Sequence, residues 1–127
     1  RTSADVDGAI DTLIKTPAAR SVKAVSQPDH HPYKMWTAGE GGLLEPLLPQ
    51  WLAEHGGDPD VPRQRLPRVY RSSGAVDAVW VDALKETGMF HPGPVAAFEL
   101  DAALDIDIDT LDDFRRVEEI LQGGSRG

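Results

Sequence analysis

The stretch from residue 27 to residue 67 constrains the fold of this chain more than any other feature. Seven prolines and five glycines fall within it, and proline interrupts helix interiors and central strands alike. No long periodic element fits there, although residues 49–55 have the spacing of one short helix. The region is nevertheless rich in large apolar side chains: Trp36, Leu43, Leu44, Leu47, Leu48, Trp51 and Leu52. We therefore interpret residues 33–70 as an excursion that buries these groups against a second subunit.

Helices and strands alternate on both sides of this stretch. Apolar residues spaced three and four apart predict a first helix, which Thr2 and Asp5 cap and Pro17 ends, and a strand follows at Ser21–Ser26. Four more elements are predicted: a strand at 75–81 covered on both faces, a short helix at 82–87, a strand at 95–100, and a last helix capped by Thr110 and Asp113. This alternation is typical of an α/β domain with a parallel or mixed sheet.

Composition excludes several classes of protein. The chain has 127 residues, enough for one domain. Its net charge of −8 repels nucleic-acid phosphates, which argues against a nucleic-acid binder. The chain has no apolar run long enough for a transmembrane helix, so we expect no membrane partner. The absence of cysteine excludes disulfide scaffolds and thiolate chemistry and is consistent with a cytoplasmic protein.

Residues 104–109 alternate apolar and acidic side chains, which predicts an extended strand. Asp105, Asp107 and Asp109 would then share one face at a spacing of about 7 Å, and their mutual repulsion favours a cation between them. Carboxylate oxygens suit Mg²⁺, which keeps its remaining positions for water and phosphate oxygens. The alternative is a solvated acidic turn in which Asp109 only assists the helix that follows.

Cationic side chains are concentrated in two places in this acidic protein. Arg63, Arg65, Arg68 and Arg71 supply four of the 13 lysines and arginines within nine residues, and the guanidinium fork matches carboxylate and phosphate oxygens. The alternative is a solvated basic loop paired with some of the 21 acidic residues. Lys34, which follows two adjacent histidines, is a second candidate for an anion contact.

Four short motifs occur in order along the chain: His31-Pro32-Tyr33-Lys34, Arg63-Gln64-Arg65-Leu66-Pro67, Tyr70-Arg71-Ser72-Ser73-Gly74-Ala75 and Asp107-Ile108-Asp109-Thr110. They resemble the "HPYK", "RQxLP", "YRxNGA" and "DIDT" motifs of the acylneuraminate cytidylyltransferases, the CMP-sialic acid synthetases. Asp113-Phe114 extends the last resemblance, and Arg1-Thr2 resembles the end of that family's "SPLR" segment. Together the motifs cover essentially the whole chain and resemble the C-terminal half of the family.

The resemblance implies an α/β sandwich of the nucleotide-diphosphosugar transferase-like (Rossmann-like) type, with this chain as its C-terminal portion. It implies that CTP condenses with an acidic nine-carbon sugar in a homodimer, and that the excursion makes the dimer contact. It also implies that Asp107 and Asp109 are the catalytic carboxylates that hold Mg²⁺. The implied substrate contacts are Lys34, Arg63, Gln64, Arg71 and Ser73.

The chain departs from the family pattern at two positions and in one larger respect. Ser73 stands where the family often has Asn, and Asp77 where Tyr is common, so the identity of the sugar stays open. The family's loop that cradles the CTP phosphates would lie upstream of Arg1, and we therefore expect this chain alone to form no CMP-sugar. Two alternatives remain, a non-catalytic association module derived from such an enzyme and a cytidylyltransferase for another acidic sugar such as an octulosonate.

Overall fold

The computed structural model describes residues 1–124 of the chain, and these divide into two units. The first unit consists of Arg1–Gln27 together with residues 71–124, and the second consists of Pro28–Tyr70. The second unit therefore covers the whole of the predicted excursion at 33–70.

A three-stranded mixed sheet forms the centre of the first unit. Strand β1 (Ser21–Ser26) lies between β4 (Arg71–Val79) and β5 (Val95–Glu99). It pairs antiparallel with β4 and parallel with β5, and the β4 pairing shifts register between Lys23 and Val25. The mixed α/β prediction is confirmed. Strand β4 begins earlier than predicted, and Ser73 is its one buried residue, so the expectation of two covered faces was wrong.

Three helices accompany this sheet, and their ends follow the predicted capping residues. Helix α1 is Ser3–Lys15, α3 is Val81–Thr87 and α4 is Leu111–Gly124. Thr2 and Asp5 form a reciprocal capping box at α1, as Thr110 and Asp113 do at α4. Gly88 ends α3 in the left-handed conformation with φ of 69°. Among residues 1–124, no helix combines the length and apolar content needed to cross a lipid bilayer.

The core of the first unit lies between α1 and one face of the sheet. Its members are Ala9, Leu13, Ala19 and Val22, with Val76, Ala78, Ala96 and Phe98 packed against them. Gly8 allows the closest approach, because a Cβ atom at this position would lie 2.5 Å from the Phe98 ring. Helix α1 is therefore fitted to the sheet at a position where a larger residue has no room.

The second unit has little regular structure, as predicted, but it contains one hairpin that the sequence did not indicate. Strands β2 (Trp36–Ala38) and β3 (Leu44–Pro46) pair antiparallel. Helix α2 (Pro49–Glu54) confirms the predicted short helix. The Trp51 ring of α2 stacks on His55 at 4.2 Å and meets the Tyr33 ring edge-on at 4.5 Å. These ring contacts join α2 to the turn that carries Tyr33.

The strand predicted at 104–109 was wrong, since residues 105–109 form neither helix nor strand. The backbone N–H groups of Leu104 and Asp105 both donate to the Asp101 carbonyl, so the chain turns there. Leu104 and Ile108, which a strand would place on the face opposite the carboxylates, are both exposed. The Asp105 side chain is buried instead, because polar partners hold it inside. The alternation of apolar and acidic residues here therefore does not mark the two faces of a strand.

Candidate functional site

The Asp105 carboxylate is the centre of a hydrogen-bonded cluster that also contains Ser26, Arg71 and Ser73, called here the Asp105 cluster. The hydroxyl of Ser73 donates to Oδ1 at 2.6 Å, and that of Ser26 donates to Oδ2 at 2.7 Å. Arg71 Nη2 lies 2.9 Å from Oδ2 and also donates to the Asp105 carbonyl oxygen at 2.7 Å. The cluster thus joins β1, β4 and the segment before α4.

Burial and bonding act in opposite directions on the ionisation of Asp105. Burial raises the pKa of Asp105, but hydrogen bonds from Ser73 and Ser26 and the charge of Arg71 outweigh it and hold the pKa below its ordinary value of 3.8. The carboxylate is therefore ionised at neutral pH. Its side chain is 5% exposed, so it acts as an internal acceptor and has no surface to offer a ligand.

The same contacts define what Arg71 and Ser73 can do. The Arg71 side chain is 38% exposed. Both of its contacts with Asp105 use Nη2, so the donors on the other two guanidinium nitrogens can also meet an anion. Ser73 is buried, and its hydroxyl donates to Asp105 while accepting from the Ala75 N–H. The Arg71 guanidinium is therefore partly open to solvent, whereas the Ser73 hydroxyl is engaged inside the Asp105 cluster.

Asp107 and Asp109, the predicted metal carboxylates, are both exposed. They lie between two anchors, Asp105 on one side and the capping box of Thr110 and Asp113 on the other. Bonds from the Thr110 hydroxyl and N–H hold the pKa of Asp113 below its ordinary value of 3.8. The short segment between the anchors is therefore fixed at both ends without belonging to a sheet.

The donor chemistry of this segment fits Mg²⁺. Two exposed carboxylates offer hard oxygens, and Mg²⁺ commonly takes one or two carboxylates with water and phosphate as its other ligands. Among residues 1–124, no set of three or more histidine or acidic side chains is arranged to hold a metal by itself. A metal at Asp107 and Asp109 would thus need oxygens from another source, such as a nucleotide.

A cavity of about 460 Å³ lies in the second unit and brings two predicted substrate contacts together. Its lining includes Lys34 and Arg63, which come from separate motifs, and Asp29, His30, His31 and Met35 complete it. Arg63 donates to the Pro28 carbonyl at 3.2 Å. This bond holds the Arg63 side chain against the segment that leads into the turn carrying Lys34. Two cations against one carboxylate make the lining positive, which suits an anionic ligand. Gln64 lies on the same 3₁₀ turn as Arg63 and is exposed.

His31 shapes this cavity through its ring nitrogens. Nε2 lies 2.9 Å from the Pro67 carbonyl oxygen, and Nδ1 lies 3.4 Å from the Tyr33 N–H. Because the carbonyl only accepts and the N–H only donates, the ring carries its hydrogen on Nε2. Both ring nitrogens of His31 therefore have partners within the second unit.

Asp77, whose role the sequence left open, has a partner on the sheet. Its Oδ2 lies 3.0 Å from His91 Nε2, and Lys23 Nζ lies 3.2 Å from the same nitrogen. Lys23 and Asp77 are also opposite each other in the β1–β4 pairing. These contacts satisfy Asp77 within the sheet.

Sequence reasoning gave Asp105 no role of its own beyond a place in the acidic alternation. The one local signal is that Asp105 is the first acid of the alternating run and directly follows a turn. Its partners, however, lie 32 to 79 residues away in sequence, and no local pattern reports such contacts. No model of a known protein family matches the chain, so the motif resemblance and this geometry carry the functional argument.

Proposed function

We propose that this chain supplies part of a cytidylyltransferase site that condenses CTP with a nonulosonic acid to CMP-sugar and pyrophosphate. The corresponding fold would be the C-terminal portion of a nucleotide-diphosphosugar transferase-like sandwich, with the unit Pro28–Tyr70 as its dimer contact. The positive charge of the cavity lined by Lys34 and Arg63 supports one part of this proposal, namely that the sugar substrate carries a carboxylate.

The convergence of Lys34 and Arg63 on one cavity carries the proposal. Each belongs to a different family-like motif, and the two are far apart in sequence. An anion bound in the cavity would explain why two separate motifs supply cations to it. A sugar carboxylate meets that requirement, because Lys offers a point charge and Arg a planar fork.

The proposed reaction needs positioning and charge neutralisation more than covalent catalysis. The anomeric hydroxyl of the sugar loses its proton to water and attacks the α-phosphorus of CTP, so that a new P–O bond forms while the bond to the departing pyrophosphate breaks. Asp107 and Asp109 would hold Mg²⁺, which neutralises charge on the phosphate oxygens when bound. Arg71 would orient the sugar acid.

The first test separates the two substrates. Arg63→Ala and Lys34→Ala should each raise the KM of the sugar acid about tenfold or more, the effect of losing one charge-assisted contact, and leave the KM of CTP within twofold. Arg65→Ala is the matched control, because Arg65 lies on the same 3₁₀ turn but not on the cavity. The assay follows pyrophosphate release by the complete gene product. Equal effects on both substrates would contradict the assignment.

A second test concerns the metal. Asp107→Asn and Asp109→Asn keep the shape of each side chain but remove its charge, so each should lower kcat by orders of magnitude with an unchanged melting temperature. Higher Mg²⁺ should restore part of the rate. Asp112→Asn serves as the control, since Asp112 is an exposed acid paired with Arg115. Normal activity of the Asp109→Asn variant at ordinary Mg²⁺ would exclude it as a required ligand.

A non-catalytic association module is the second candidate, and one observation favours it. The hairpin of the second unit exposes Leu43 and Leu44, which is the kind of surface that binds another subunit. Such a module would associate but would bind neither CTP nor a sugar acid. Calorimetric titration of the complete gene product with both ligands distinguishes the two functions.

A further inference from the structure

We propose that Asp105 is a positioning residue for substrate binding, which holds the Arg71 guanidinium in the orientation in which it meets the sugar acid. The inference rests on the proposed function for the identity of the ligand. It goes beyond that function, because it assigns specificity for the acid to a buried residue that touches no substrate.

The geometry of the Arg71 contact is the first argument. One nitrogen, Nη2, is held from two directions, by the Asp105 carbonyl at 2.7 Å and by the carboxylate at 2.9 Å. Two bonds from a single residue fix both the position and the plane of a flat guanidinium. The donors on Nε and Nη1 are not taken by Asp105, so the other edge of the fork is the one that can meet an anion.

The anchoring of Asp105 itself is the second argument. Ser26 at the end of β1 and Ser73 in β4 each donate to one carboxylate oxygen, and both serines are buried. The carboxylate therefore cannot turn with Arg71 when a ligand arrives. A long side chain held in this way has already lost its rotamer freedom, and preorganisation of this kind increases affinity without a new ligand contact.

The burial of Asp105 excludes a more direct role. A side chain that is 5% exposed and bonded through both oxygens has no place for a ligand atom. Its effect on the substrate must therefore pass through Arg71. This gives the proposal a measurable signature, because removing Asp105 should have no further effect on sugar binding once Arg71 is gone.

Asp105→Asn is the decisive variant. The amide keeps the size of the side chain but removes its charge, and its NH₂ group replaces one of the two oxygens that accept from Ser26, Ser73 and Arg71. We expect the KM of the sugar acid to rise about tenfold, as for a lost charge-assisted hydrogen bond, with the KM of CTP within twofold. The double variant Asp105→Asn/Arg71→Ala should match Arg71→Ala alone. Asp11→Asn removes the same charge from an exposed pair on α1 and should change nothing.

Two further measurements keep the test decisive. If Asp105→Asn does not fold, Ser26→Ala removes one anchor of the carboxylate and should raise the KM of the sugar acid by a smaller factor. NMR of the Arg71 side chain provides a readout without turnover: hindered rotation about the Nε–Cζ bond should give separate Nη signals in the wild type and averaged signals in Asp105→Asn.

The outcomes distinguish this inference from the proposed function. If the wild type makes no CMP-sugar but its Arg71 Nη signals are separate and merge on Asp105→Asn, the proposed function fails and Asp105 still holds Arg71. Averaged Nη signals in the wild type overturn the inference. So does a double variant whose increase in the KM of the sugar acid is the product of the increases caused by Asp105→Asn and Arg71→Ala alone. An unchanged KM of the sugar acid in a folded Asp105→Asn variant overturns it as well.

Discussion

Replacing Asp105 by alanine should destabilise the first unit severely, and the structure allows the size of the effect to be worked out. The hydroxyls of Ser26 and Ser73 are buried, and each would lose its acceptor at a cost of about 1–2 kcal/mol. Arg71 would lose its carboxylate, but water reaches its half-exposed side chain, so this contribution is only about 1 kcal/mol. The total of about 3–5 kcal/mol is a large share of the roughly 5–15 kcal/mol that stabilises a typical domain.

The same reasoning predicts a change of sign at the two serines. In the wild type, Ser26→Ala removes a made hydrogen bond and should cost about 1 kcal/mol. In the Asp105→Ala background it removes a buried hydroxyl that has lost its acceptor, and the same substitution should stabilise by about 1 kcal/mol. Ser73→Ala should show a smaller gain, because the Ser73 hydroxyl still accepts from the Ala75 N–H.

These values would be tested by urea unfolding followed through tryptophan fluorescence, in a background where the fluorescence comes from the first unit alone. Trp80 belongs to that unit, whereas Trp36 and Trp51 belong to the second. A Trp36→Phe/Trp51→Phe background therefore leaves Trp80 as the single tryptophan, and its fluorescence can be excited selectively. Asp11→Ala, which removes an exposed acid from a surface pair on α1, is the control. A loss below about 1 kcal/mol for Asp105→Ala, or Ser26→Ala destabilising both backgrounds equally, would refute the reasoning.

Three further predictions concern other parts of the chain. Gly8→Ala should destabilise the first unit by about 1 kcal/mol in thermal unfolding, because overpacking against Phe98 exceeds the gain in helix propensity; a rise in melting temperature would contradict this. Leu44→Glu should convert the proposed dimer to monomers in analytical sedimentation, whereas the control Gln50→Glu should leave it a dimer. A monomeric wild type would contradict the proposed dimer contact. Because the pKa of Asp113 is lowered on folding, its capping contribution is present above pH 3.8 and is lost as the pH falls below that value. The amide chemical shifts of α4, measured by NMR, should then report fraying of the first turn of the helix. A first turn that is unchanged down to pH 2 would contradict the capping role.

The parts of the fold that the sequence predicted are those that local chemistry determines. Helix α1 followed from apolar spacing and from the pair Thr2 and Asp5, and α4 followed from Thr110 and Asp113. Strand β1 was predicted to the residue. In each case the determining groups lie within a few residues of one another, so a pattern in the sequence is enough to identify the element.

The hairpin and the acidic segment were not predictable in that way. Strands β2 and β3 have three residues each, too few for any period to be visible, and their pairing depends on the turn between them. Residues 105–109 do show a strand period, but no neighbouring strand pairs with them. Asp105 turns inward for a reason that lies far away in the sequence, at Ser26, Arg71 and Ser73.

The candidate site was predictable in its charges but not in its geometry. The motifs indicated Lys34 and Arg63, and the structure brings these two to one cavity. They also indicated Arg71 and Ser73, but the burial of Ser73, in contrast to the partly exposed Arg71, could not be inferred from the motif that contains both. Which residue touches a ligand and which supports its neighbour depends on burial, and burial is a property of the folded chain.

The two anchors around Asp107 have a consequence for how order in this segment can be observed. Within residues 1–124, the backbone N–H groups of Ile106, Asp107 and Ile108 donate no hydrogen bond to another backbone group. Their amide hydrogens are therefore open to exchange with solvent, whereas the anchors at Asp105 and Thr110 restrain the chain on either side, so we expect little backbone motion on the nanosecond timescale. A segment can thus combine a high relaxation order parameter with negligible exchange protection, and exchange data alone would misclassify these carboxylates as lying on a mobile loop.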